Sequence, residues 1–553
     1  MCFEGIIFMS RKQRIIISIT GIFLITFLLL GFTYSFYNMK ITENENTNSV
    51  VVKIGSASIE YTDLSTDNSQ ELIEPGYTNI RLFTVKNITN KPVEYHIFMD
   101  EVENTFVRTQ DVKYTLYRKT GNNTIDVNNL SDNDIVASGT FPVNNAYILI
   151  GENLTNRNDI YTYALKVEYV NSEENQDANI GKIFGGKVQI HGSIENPFDS
   201  NTLAYHILDN AMNVTDEQKE LGYAEFRIKP LTKVAQEANA ENEKTLSVTN
   251  DDSGLSYYYR GDVINNYINF ANMCWRIVRI EGDGSIKLIL EDQDTKCEDM
   301  DYENGDGNWD IPTITGGNTK TGNFGFTQYA ANTITASDGT TNSASRSLIT
   351  SYFNGNNTSM AYAFKNFQTG PLSGYLNRLK SGEWCLNDNA YEQIGSSRPY
   401  TYRELSSIEK YDKYVKGETF YYDNYVRLSI LSSLAFQPTL KCIGNQLNKF
   451  DQDTEMYIGA LTADENMYAG GKLNGGTRKQ YLNNGNNKNF WIFSLSSFGG
   501  SSINVFGSNG KNGFIGETYI GSPVRSFRPS IVLKSGVEIN SGNGSIDSPY
   551  EIQ

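Results

Sequence analysis

An uncharged segment from Ile15 to Met39 constrains this chain more than any other feature of its sequence. Its apolar part, IIISITGIFLITFLLLGFTYSFY, is longer than the roughly 20 residues that a helix needs to cross a lipid bilayer. Tyr34, Phe36 and Tyr37 stand at its outer end, and aromatic rings commonly lie at the membrane interface. The sequence therefore predicts a single transmembrane helix over residues 15–37.

The charges on either side of this segment predict its orientation. Three basic residues lie within residues 11–14, whereas Lys40 is followed by Glu43 and Glu45. Because basic residues favour the cytoplasmic side, residues 1–14 are expected to form a cytoplasmic tail and the rest of the chain to be extracellular. A cleaved signal peptide is the alternative and would make the protein secreted. An A-x-A-like cleavage site is missing after the apolar segment, so we expect an uncleaved anchor in the cell membrane.

The chain as a whole is large and acidic. At 553 residues it is too long for one hydrophobic core, and several domains are expected. Its formal net charge of −17 repels phosphate groups, so nucleic acid is not an expected partner. The aromatic content of 12%, together with 47 glycines, favours a β-rich, turn-rich globular protein over a disordered one.

Four cysteines follow the apolar segment, and an even number is typical of disulfides in an oxidising exterior. They are Cys274, Cys297, Cys385 and Cys442. Four cysteines allow three pairings, and we predict that the first two pair with each other, as do the last two. A zinc site is the weaker alternative because the sequence has no C-x-x-C motif.

Residues 50–193 predict a β-sandwich. Short strand-like segments such as IRLFTVKN, VEYHIFMDEV and YTYALKVEYV alternate with turn clusters rich in Asn, Gly, Asp and Pro. The alternation is clearest in residues 162–169, where the sequence places Tyr163, Leu165, Val167 and Tyr169 on one face. Thr162, Ala164, Lys166 and Glu168 are expected on the opposite face of this strand.

The strings IEPGYTNIRLFTVKNITN and YALKVEYVNSEENQDANIGKIFGGKVQI make this region similar to the TasA and camelysin group of Gram-positive surface and matrix proteins. The resemblance implies a jelly-roll-like sandwich that self-associates by strand donation. The camelysin name also implies a metallopeptidase. The sequence does not support that activity, because it has no H-E-x-x-H motif and only three dispersed histidines.

Residues 194–253 are predicted to connect two domains. TLAYHILDNAM predicts a helix that places Leu203, Ile207, Leu208 and Ala211 on one face, and Thr215 with Gln218 predicts a capping box. Residues 232–252 are polar and predict a flexible linker or a peripheral segment.

Residues 254–553 predict an α+β surface module. The segments WRIVRI and IKLIL flank EGDG, which predicts a β-hairpin, and Asn509-Gly510 predicts another hairpin turn. Strings such as PLSGYLNRLKSGEWCLND and VRSFRPSIVLKSGVEINSG resemble a recurrent C-terminal module of surface proteins in gut-dwelling Gram-positive bacteria. The closing order of a Trp-containing strand, a Gly-rich hairpin and an F-R-P strand is also similar to C-type-lectin-like folds, which implies a loop-rich scaffold.

Two short motifs are better explained as structure than as function. Arg260-Gly261-Asp262 lies among Tyr and Val residues, which favours a turn or bulge over an integrin-binding loop tip. The acidic run EDQDTKCEDMDYENGDGNWD resembles the start of a calcium loop, but Asn304 stands where the turn needs Gly. A looser calcium site is an alternative to a solvated acidic loop, and no other cofactor is expected.

No catalytic motif stands out, and the chain is not expected to be an enzyme. A catalytic triad that depends on histidine is not expected in the C-terminal module, because the sequence has no histidine after residue 254. A hydrolase that uses a pair of carboxylates is an open alternative. The four tryptophans are expected to be core residues. We expect a membrane-anchored cell-surface protein for adhesion, recognition or envelope structure, whose C-terminal module binds a glycan or surface protein. The predicted contact residues are Tyr468, Arg478, Tyr481 and Trp491.

Overall fold

The structure is a computed structural model in which the chain divides into two units, one ending at Ile194 and one beginning at Glu195. It describes residues 35–40, 49–54, 57–65, 71–106, 111–121, 125–140, 147–172, 176–191, 196–227, 242–301, 307–312, 320–329, 334–342, 347–349, 358–382, 384–394, 396–429, 431–432, 438–451, 453–473, 480–483, 488–500, 502–509, 514–519 and 525–552. The described chain is mainly β, as its composition predicts.

The first unit consists of two antiparallel-rich sheets. Its strands are β1 (Ser35–Lys40), β2 (Ser49–Ile54), β3 (Ala57–Asp63), β4 (Glu71–Ile73), β5 (Thr78–Asn87), β6 (Val93–Asn104), β7 (Val112–Thr120), β8 (Ile135–Thr140), β9 (Tyr147–Leu154), β10 (Ile160–Tyr169) and β11 (Ile183–His191). One sheet has the order β4-β1-β11-β6-β9, and the other has the order β2-β3-β5-β10-β7-β8.

The two sheets share one hydrophobic core. Tyr95 of β6 and Tyr163 of β10 belong to different sheets, and their hydroxyl groups are hydrogen-bonded at 2.7 Å. The alternation predicted for β10 is confirmed, because Tyr163, Leu165, Val167 and Tyr169 all lie in this core. Ala164 is buried as well, but it belongs to a separate small cluster on the other face of the strand.

The predicted transmembrane helix lies almost entirely outside the described residues, which begin at Ser35. The prediction that it extends to residue 37 is wrong for its last three residues. Ser35–Lys40 form β1, whose backbone pairs with β11 in parallel and with β4 in antiparallel orientation. Among the described residues, no helix is long and apolar enough to span a membrane.

The second unit carries many more strands. They are β12 (Glu225–Arg227), β13 (Thr245–Asp251), β14 (Gly254–Arg260), β15 (Tyr267–Phe270), β16 (Met273–Ile280), β17 (Ile286–Asp292), β18 (Thr321–Gly322), β19 (Thr327–Tyr329), β20 (Ile334–Thr335), β21 (Thr341–Asn342), β22 (Ser347–Ile349), β23 (Trp384–Cys385), β24 (Ala390–Gln393), β25 (Tyr402–Glu404), β26 (Phe420–Tyr422), β27 (Gln446–Leu447), β28 (Ile458–Gly459), β29 (Lys472–Leu473), β30 (Phe490–Gly499), β31 (Ser502–Ser508), β32 (Phe514–Tyr519), β33 (Arg525–Ser526), β34 (Ser530–Leu533), β35 (Ile539–Ser541) and β36 (Tyr550–Ile552).

Two large sheets organise these strands. The ten-stranded sheet follows the order β12-β13-β14-β16-β15-β36-β35 and continues from β16 through β17 and β34 to β28. The nine-stranded sheet follows the order β25-β24-β26-β30-β31-β32-β29, with β33 joining β30 to β18. The hairpin predicted at EGDG is confirmed, since β16 and β17 pair across this turn. Strands β31 and β32 pair as an antiparallel hairpin, but Ser508 lies opposite Ile515, so their connection is longer than the predicted turn at Asn509-Gly510, of which Gly510 lies outside the described residues.

Six α-helices accompany the described strands. They are α1 (Leu203–Met212), α2 (Asp216–Leu221), α3 (Met360–Thr369), α4 (Ser407–Lys416), α5 (Asp423–Leu428) and α6 (Ala463–Tyr468). Short 3₁₀ helices occur at Asp132–Asp134, Asp177–Asn179, Cys297–Asp299 and Ser373–Arg378. The apolar face predicted for α1 is confirmed, because Leu203, Ile207, Leu208 and Ala211 are buried. The capping box of Thr215 and Gln218 at the start of α2 is also present.

The predicted linker over residues 232–252 is wrong at its C-terminal end. Residues 245–251 form β13, which pairs with β14 along its whole length. Leu246 and Val248 are buried there, so this short segment has enough apolar surface to enter the sheet. The second unit therefore includes β13 and the two helices before it, and it begins well before residue 254.

Both predicted disulfides are formed. Cys274 pairs with Cys297, and this bond is fully buried beside β15 and β16. Cys385 pairs with Cys442 across 57 positions of the sequence, and this bond is partly exposed. We call the two bonds the inner disulfide and the outer disulfide.

Candidate functional site

Three of the four predicted contact residues lie in the protein interior. Trp491 is fully buried, and its indole N–H donates to the Gly322 carbonyl at 2.7 Å. Tyr468 packs against Tyr258, and Tyr481 is only 2% exposed. Their rings offer no open face to a ligand in this conformation. Arg478 lies outside the described residues, so its predicted role stays a prediction.

Helix α6 brings polar side chains into the interior of the second unit. All six of its residues are buried, and Thr462 with Glu465 forms a capping box at its N-terminus. Three consecutive side chains bond to three different elements: Asp464 pairs with Arg427 on α5, Glu465 with Lys287 on β17, and Asn466 with Ser508 on β31. The helix therefore connects the two large sheets through polar contacts.

A polar cleft lies beside this helix and the outer disulfide. Its volume is about 90 Å³, room for several water molecules. Its walls come from the turn between β13 and β14, from β16 and β17, from residues 380–387 and from the segment around the outer disulfide. Four acidic and four basic residues line it: Asp251, Asp252, Glu281, Glu465, Arg279, Lys287, Lys380 and Lys441. The formal charges of the lining therefore cancel.

Arg279 is the centre of an ion-pair network in this cleft. Its guanidinium donates to Asp251 at 2.8 Å, to Glu281 at 2.8 Å and to Glu465 at 3.1 Å. It also donates to the Ser256 hydroxyl at 3.0 Å. Arg279 is only 8% exposed, so burial removes most of the water that would hydrate its charge. These hydrogen bonds take the place of the lost bonds to water. The network fixes the positions of three carboxylates around one cation.

Glu465 joins a second cation to this network. The Lys287 ammonium lies 2.6 and 2.8 Å from its two carboxylate oxygens. Burial alone would raise the pKa of Glu465, but Lys287 and Arg279 outweigh it and lower this pKa to about 2. Burial likewise opposes ionisation of Glu281, yet Arg279 and Lys380 lower its pKa. Both carboxyls are therefore ionised at neutral pH.

Hydrogen bonds hold the segment after the outer disulfide on one side of the cleft. The Cys442 amide donates to Asp252 at 2.8 Å, and the Ile443 amide donates to Asn387 at 2.8 Å. Lys441, which precedes Cys442, is partly exposed at the cleft. Burial lowers the pKa of its ammonium to about 8, although Asp252 and Asp251 act in the opposite direction. A large fraction of Lys441 is therefore uncharged in mildly alkaline solution.

This arrangement suits binding better than acid–base chemistry. A glycosidase needs one carboxyl that holds a proton at neutral pH, and Glu281 and Glu465 do not meet that requirement. Burial raises the pKa of Asp252, but the Cys442 amide and Lys441 act in the opposite direction. The face of Trp384 is not open for stacking either, because the Lys287 ammonium lies 5.0 Å from its ring centroid. The cleft instead offers donors and acceptors from eight charged side chains, most of which are held by ion pairs.

The other motifs are structural. Arg260 is buried, pairs with Glu243 and donates to the Met467 carbonyl at 3.0 Å, so the Arg-Gly-Asp tripeptide does not present its arginine to a receptor. In the acidic run, Asp292 accepts hydrogen bonds from the Gly307 and Asn308 amides and thereby closes the loop on itself. Within the described residues, no group of acidic, His or Cys side chains has metal-binding geometry, although Glu303 lies outside them.

The four tryptophans are core residues, as predicted. Trp275, Trp309, Trp384 and Trp491 are at most 4% exposed. All four belong to the second unit, so tryptophan fluorescence reports on that unit alone.

Comparisons with known proteins add little to this description. No protein-family model matches the sequence, and no curated protein sequence matches it. A solved structure described as "AvmM Catalyzes Macrocyclization in Alchivemycin A Biosynthesis" is 9% identical, and the match covers 26% of this chain and 93% of that one, with a TM-score of 0.13. The Salmonella enterica trimeric lipoprotein SadB is 12% identical, with coverages of 28% and 74% and a TM-score of 0.07. TM-scores this low do not indicate a shared fold, so the TasA and camelysin resemblance stays a prediction.

The sequence did not predict the cleft, because its residues come from segments far apart in the chain. One local signal was present. Arg279 and Lys287 stand in strands whose other residues are mostly apolar, and both strands are buried along their whole length. Charged residues inside such strands are expected to meet partners of opposite charge, which is what Glu465 and Asp251 provide.

Proposed function

We propose that this chain is a single-pass, membrane-anchored bacterial cell-surface protein whose second unit recognises an extracellular ligand. The cleft beside the outer disulfide carries this proposal. Its charges are balanced and its side chains are held by ion pairs, which favours a polar ligand without a large net charge, such as a glycan or a segment of a surface protein. The two disulfides are consistent with an oxidising exterior.

The first unit is proposed to act as a stalk or assembly unit with a TasA-like, jelly-roll-like fold. The described sheets end at β4, β9, β2 and β8, whose outer edges pair with no other described strand, and such edges are where a strand from another subunit can add. An anchored protein is expected to form local clusters only, because the tether limits growth. Long fibres formed by purified residues 35–194, a fragment that keeps β1, would favour a matrix role over a stalk when seen in electron micrographs.

A binding screen tests recognition directly. The detergent-purified full-length protein would be applied to glycan and mucin arrays, with and without calcium, beside the variants Lys441→Gln and Arg403→Gln. Lys441 lines the cleft, whereas Arg403 is an exposed residue that pairs with Glu392 and Glu409. We expect binding that is weakened in Lys441→Gln and unchanged in Arg403→Gln. If the wild-type protein binds no surface at high micromolar concentration, a structural role is the better explanation.

The rival hypothesis is an extracellular polysaccharide-active hydrolase with a carboxylate pair. One observation favours it, since burial raises the pKa of Asp252 in the cleft, whereas Glu281 and Glu465 are held in the ionised state by Arg279 and their lysine partners. Release of reducing sugar ends from a polysaccharide by the purified protein would nevertheless support the hydrolase and contradict the binding proposal.

A further inference from the structure

Arg525 is a buried arginine in the nine-stranded sheet, on the strand that lies between β30 and β18. It begins β33, lies opposite Gly322 of β18 and is only 9% exposed. Its guanidinium lies against the backbone of β31 at Gly507, where a Cβ atom would come within 2.4 Å of both Cζ and Nε. Glycine at position 507 is therefore what leaves space for the guanidinium.

Few of the hydrogen-bonding groups of Arg525 have partners among the described residues. Nη1 donates to the Ser508 carbonyl at 3.3 Å, which is a long bond. Nε is buried and has no acceptor among the described residues. A guanidinium carries five N–H donors, so this environment satisfies only a small part of its capacity.

Several other buried arginines of the same unit have carboxylate partners, whereas Arg276 donates instead to the Asn266 side chain at 2.6 Å and to the Val263 carbonyl at 2.7 Å. Arg279 contacts three carboxylates, Arg427 contacts Asp423 and Asp464, and Arg528 contacts Glu291. No ion pair of Arg525 is found among the described residues. Its pKa is consistent with this isolation, since burial alone lowers it to about 10, without an opposing contribution from a nearby carboxylate.

The neighbouring stretches of sequence contain no acid that would neutralise Arg525. Residues 510–513 follow β31 and have the sequence GKNG, and residues 520–524 precede β33 and have the sequence IGSPV. A buried charge without a counter-ion costs several kcal/mol, and an anion bound from outside would offset that cost. An arginine with free, coplanar donors matches the two oxygens of a carboxylate or a sulfate group.

We propose that Arg525 is an anion-binding residue that takes an oxyanion group, a carboxylate or a sulfate, from outside the protein. The site consists of the Arg525 guanidinium packed on Gly507 and next to the Ser508 carbonyl. It is separate from the charge-balanced cleft and does not depend on the function proposed for that cleft. The oxyanion is supplied either by a free inorganic ion or by an acidic sugar.

Thermal unfolding followed by tryptophan fluorescence tests this proposal on the full-length protein. The buffers would contain sodium chloride, sodium sulfate or sodium glucuronate at equal ionic strength, with glucose as the uncharged control. We expect sulfate or glucuronate to raise the unfolding midpoint of the wild-type protein and of Arg403→Gln. The unfolding midpoint of Arg525→Met should not change with either anion. A shift with sulfate alone indicates an inorganic ion, whereas a shift with glucuronate indicates an acidic sugar. Equal shifts in all three proteins would overturn the proposal.

The chloride buffer separates a ligand site from a structural arginine. If Arg525 lacks a counter-ion, Arg525→Met removes an unpaired buried charge, and the variant should be at least as stable as the wild-type protein. A lower midpoint in chloride, or failure to fold, would show that the guanidinium already has a structural partner and would contradict the proposal.

Arg525→Lys provides a second, independent measurement. It keeps the charge but loses the planar pair of donors, so we expect roughly 10-fold weaker binding of the effective anion in a calorimetric titration. Equal affinity of Arg525→Lys and the wild-type protein would show that the anion binds elsewhere.

Discussion

Glu465 is a buried carboxylate whose two partners, Lys287 and Arg279, are themselves buried. In Glu465→Gln, both cations lose a counter-charge without regaining water. We expect the free energy of unfolding of the second unit to fall by about 3–5 kcal/mol, the usual cost of breaking a buried pair. Urea titration followed by tryptophan fluorescence measures this change. Glu217→Gln, which alters an exposed residue of α2, is the matched control and should change stability by less than about 0.5 kcal/mol.

The same residue predicts an acid dependence. The folded-state pKa of Glu465 is about 2, whereas an unfolded glutamate has a pKa of roughly 4.3. Because the unfolded chain binds the proton more readily, the stabilisation is complete above about pH 5 and is lost as the pH falls toward 2. Urea midpoints between pH 5 and pH 2 should fall less steeply for Glu465→Gln than for the wild-type protein. Parallel slopes would show that Glu465 does not titrate in this range.

Lys441 is the lysine that we expect to react first with acylating reagents. Its pKa of about 8 makes about half of its amines neutral at pH 8, roughly 100-fold more than for a lysine with an ordinary pKa near 10.4. Brief treatment with limiting acetic anhydride, followed by peptide mass spectrometry, measures relative labelling. Lys219 is the control, because contact with Glu225 raises its pKa. Equal labelling of the two lysines would contradict the environment described for Lys441.

At the scale of elements, the patterns that predicted structure correctly were local. The hairpin of β16 and β17, the alternation in β10, the apolar face of α1 and the capping box of α2 each depend on residues close in sequence. Strand β13 was missed because TKVAQEANAENEKTLSVTNDD is mostly polar, although its Leu246 and Val248 are buried where β13 pairs with β14. Burial against a neighbour, rather than the pattern of the segment itself, decided its structure.

The outer disulfide should stabilise the second unit and respond first to reductant. The outer disulfide joins residues 57 positions apart, whereas the inner disulfide joins residues 23 positions apart. In the chain-entropy model, the longer loop gives a stabilisation of about 4 kcal/mol and the shorter one about 3 kcal/mol. We expect Cys385→Ser with Cys442→Ser to lower the free energy of unfolding by about 2–4 kcal/mol. Urea titration of the double variant by tryptophan fluorescence measures this loss.

Differential alkylation compares the two bonds in the native protein. The outer disulfide is partly exposed and the inner one is fully buried, so dithiothreitol without denaturant should reduce Cys385 and Cys442 first. Peptide mapping after a time course of alkylation gives both rates. Earlier modification of Cys274 and Cys297 would contradict this order.

At the scale of the whole molecule, the sequence predicted two extracellular domains and a β-rich chain, but it did not predict the cleft or the environment of Arg525. The cleft collects residues from Asp251 to Val532, and Arg525 is notable for a missing partner, which no local pattern reveals. The predicted contact residues were chosen for their aromatic rings. Tyr468, Tyr481 and Trp491 proved to be core residues, because large rings in a β-rich protein are most often used for packing.

The boundary of the second unit gives the last prediction. A fragment that begins at residue 254 lacks β13, whose Leu246 and Val248 lie opposite Tyr259 and Tyr257 in the ten-stranded sheet. It also lacks α1, with its buried face of Leu203, Ile207, Leu208 and Ala211. Each large apolar side chain contributes about 1.5–3 kcal/mol by burial, so their sum is comparable to the total stability of a domain, about 5–15 kcal/mol.

We therefore expect residues 196–553 to fold as an isolated fragment and residues 254–553 to fail. The measurements are the circular dichroism spectrum, the urea transition by tryptophan fluorescence and disulfide mapping. The longer fragment should show one set of native disulfides and buried tryptophan emission, whereas the shorter one should show exposed tryptophans and mixed pairings. A urea midpoint shared by the two fragments would mean that β13 and α1 are peripheral, and that the second unit begins near residue 254 after all.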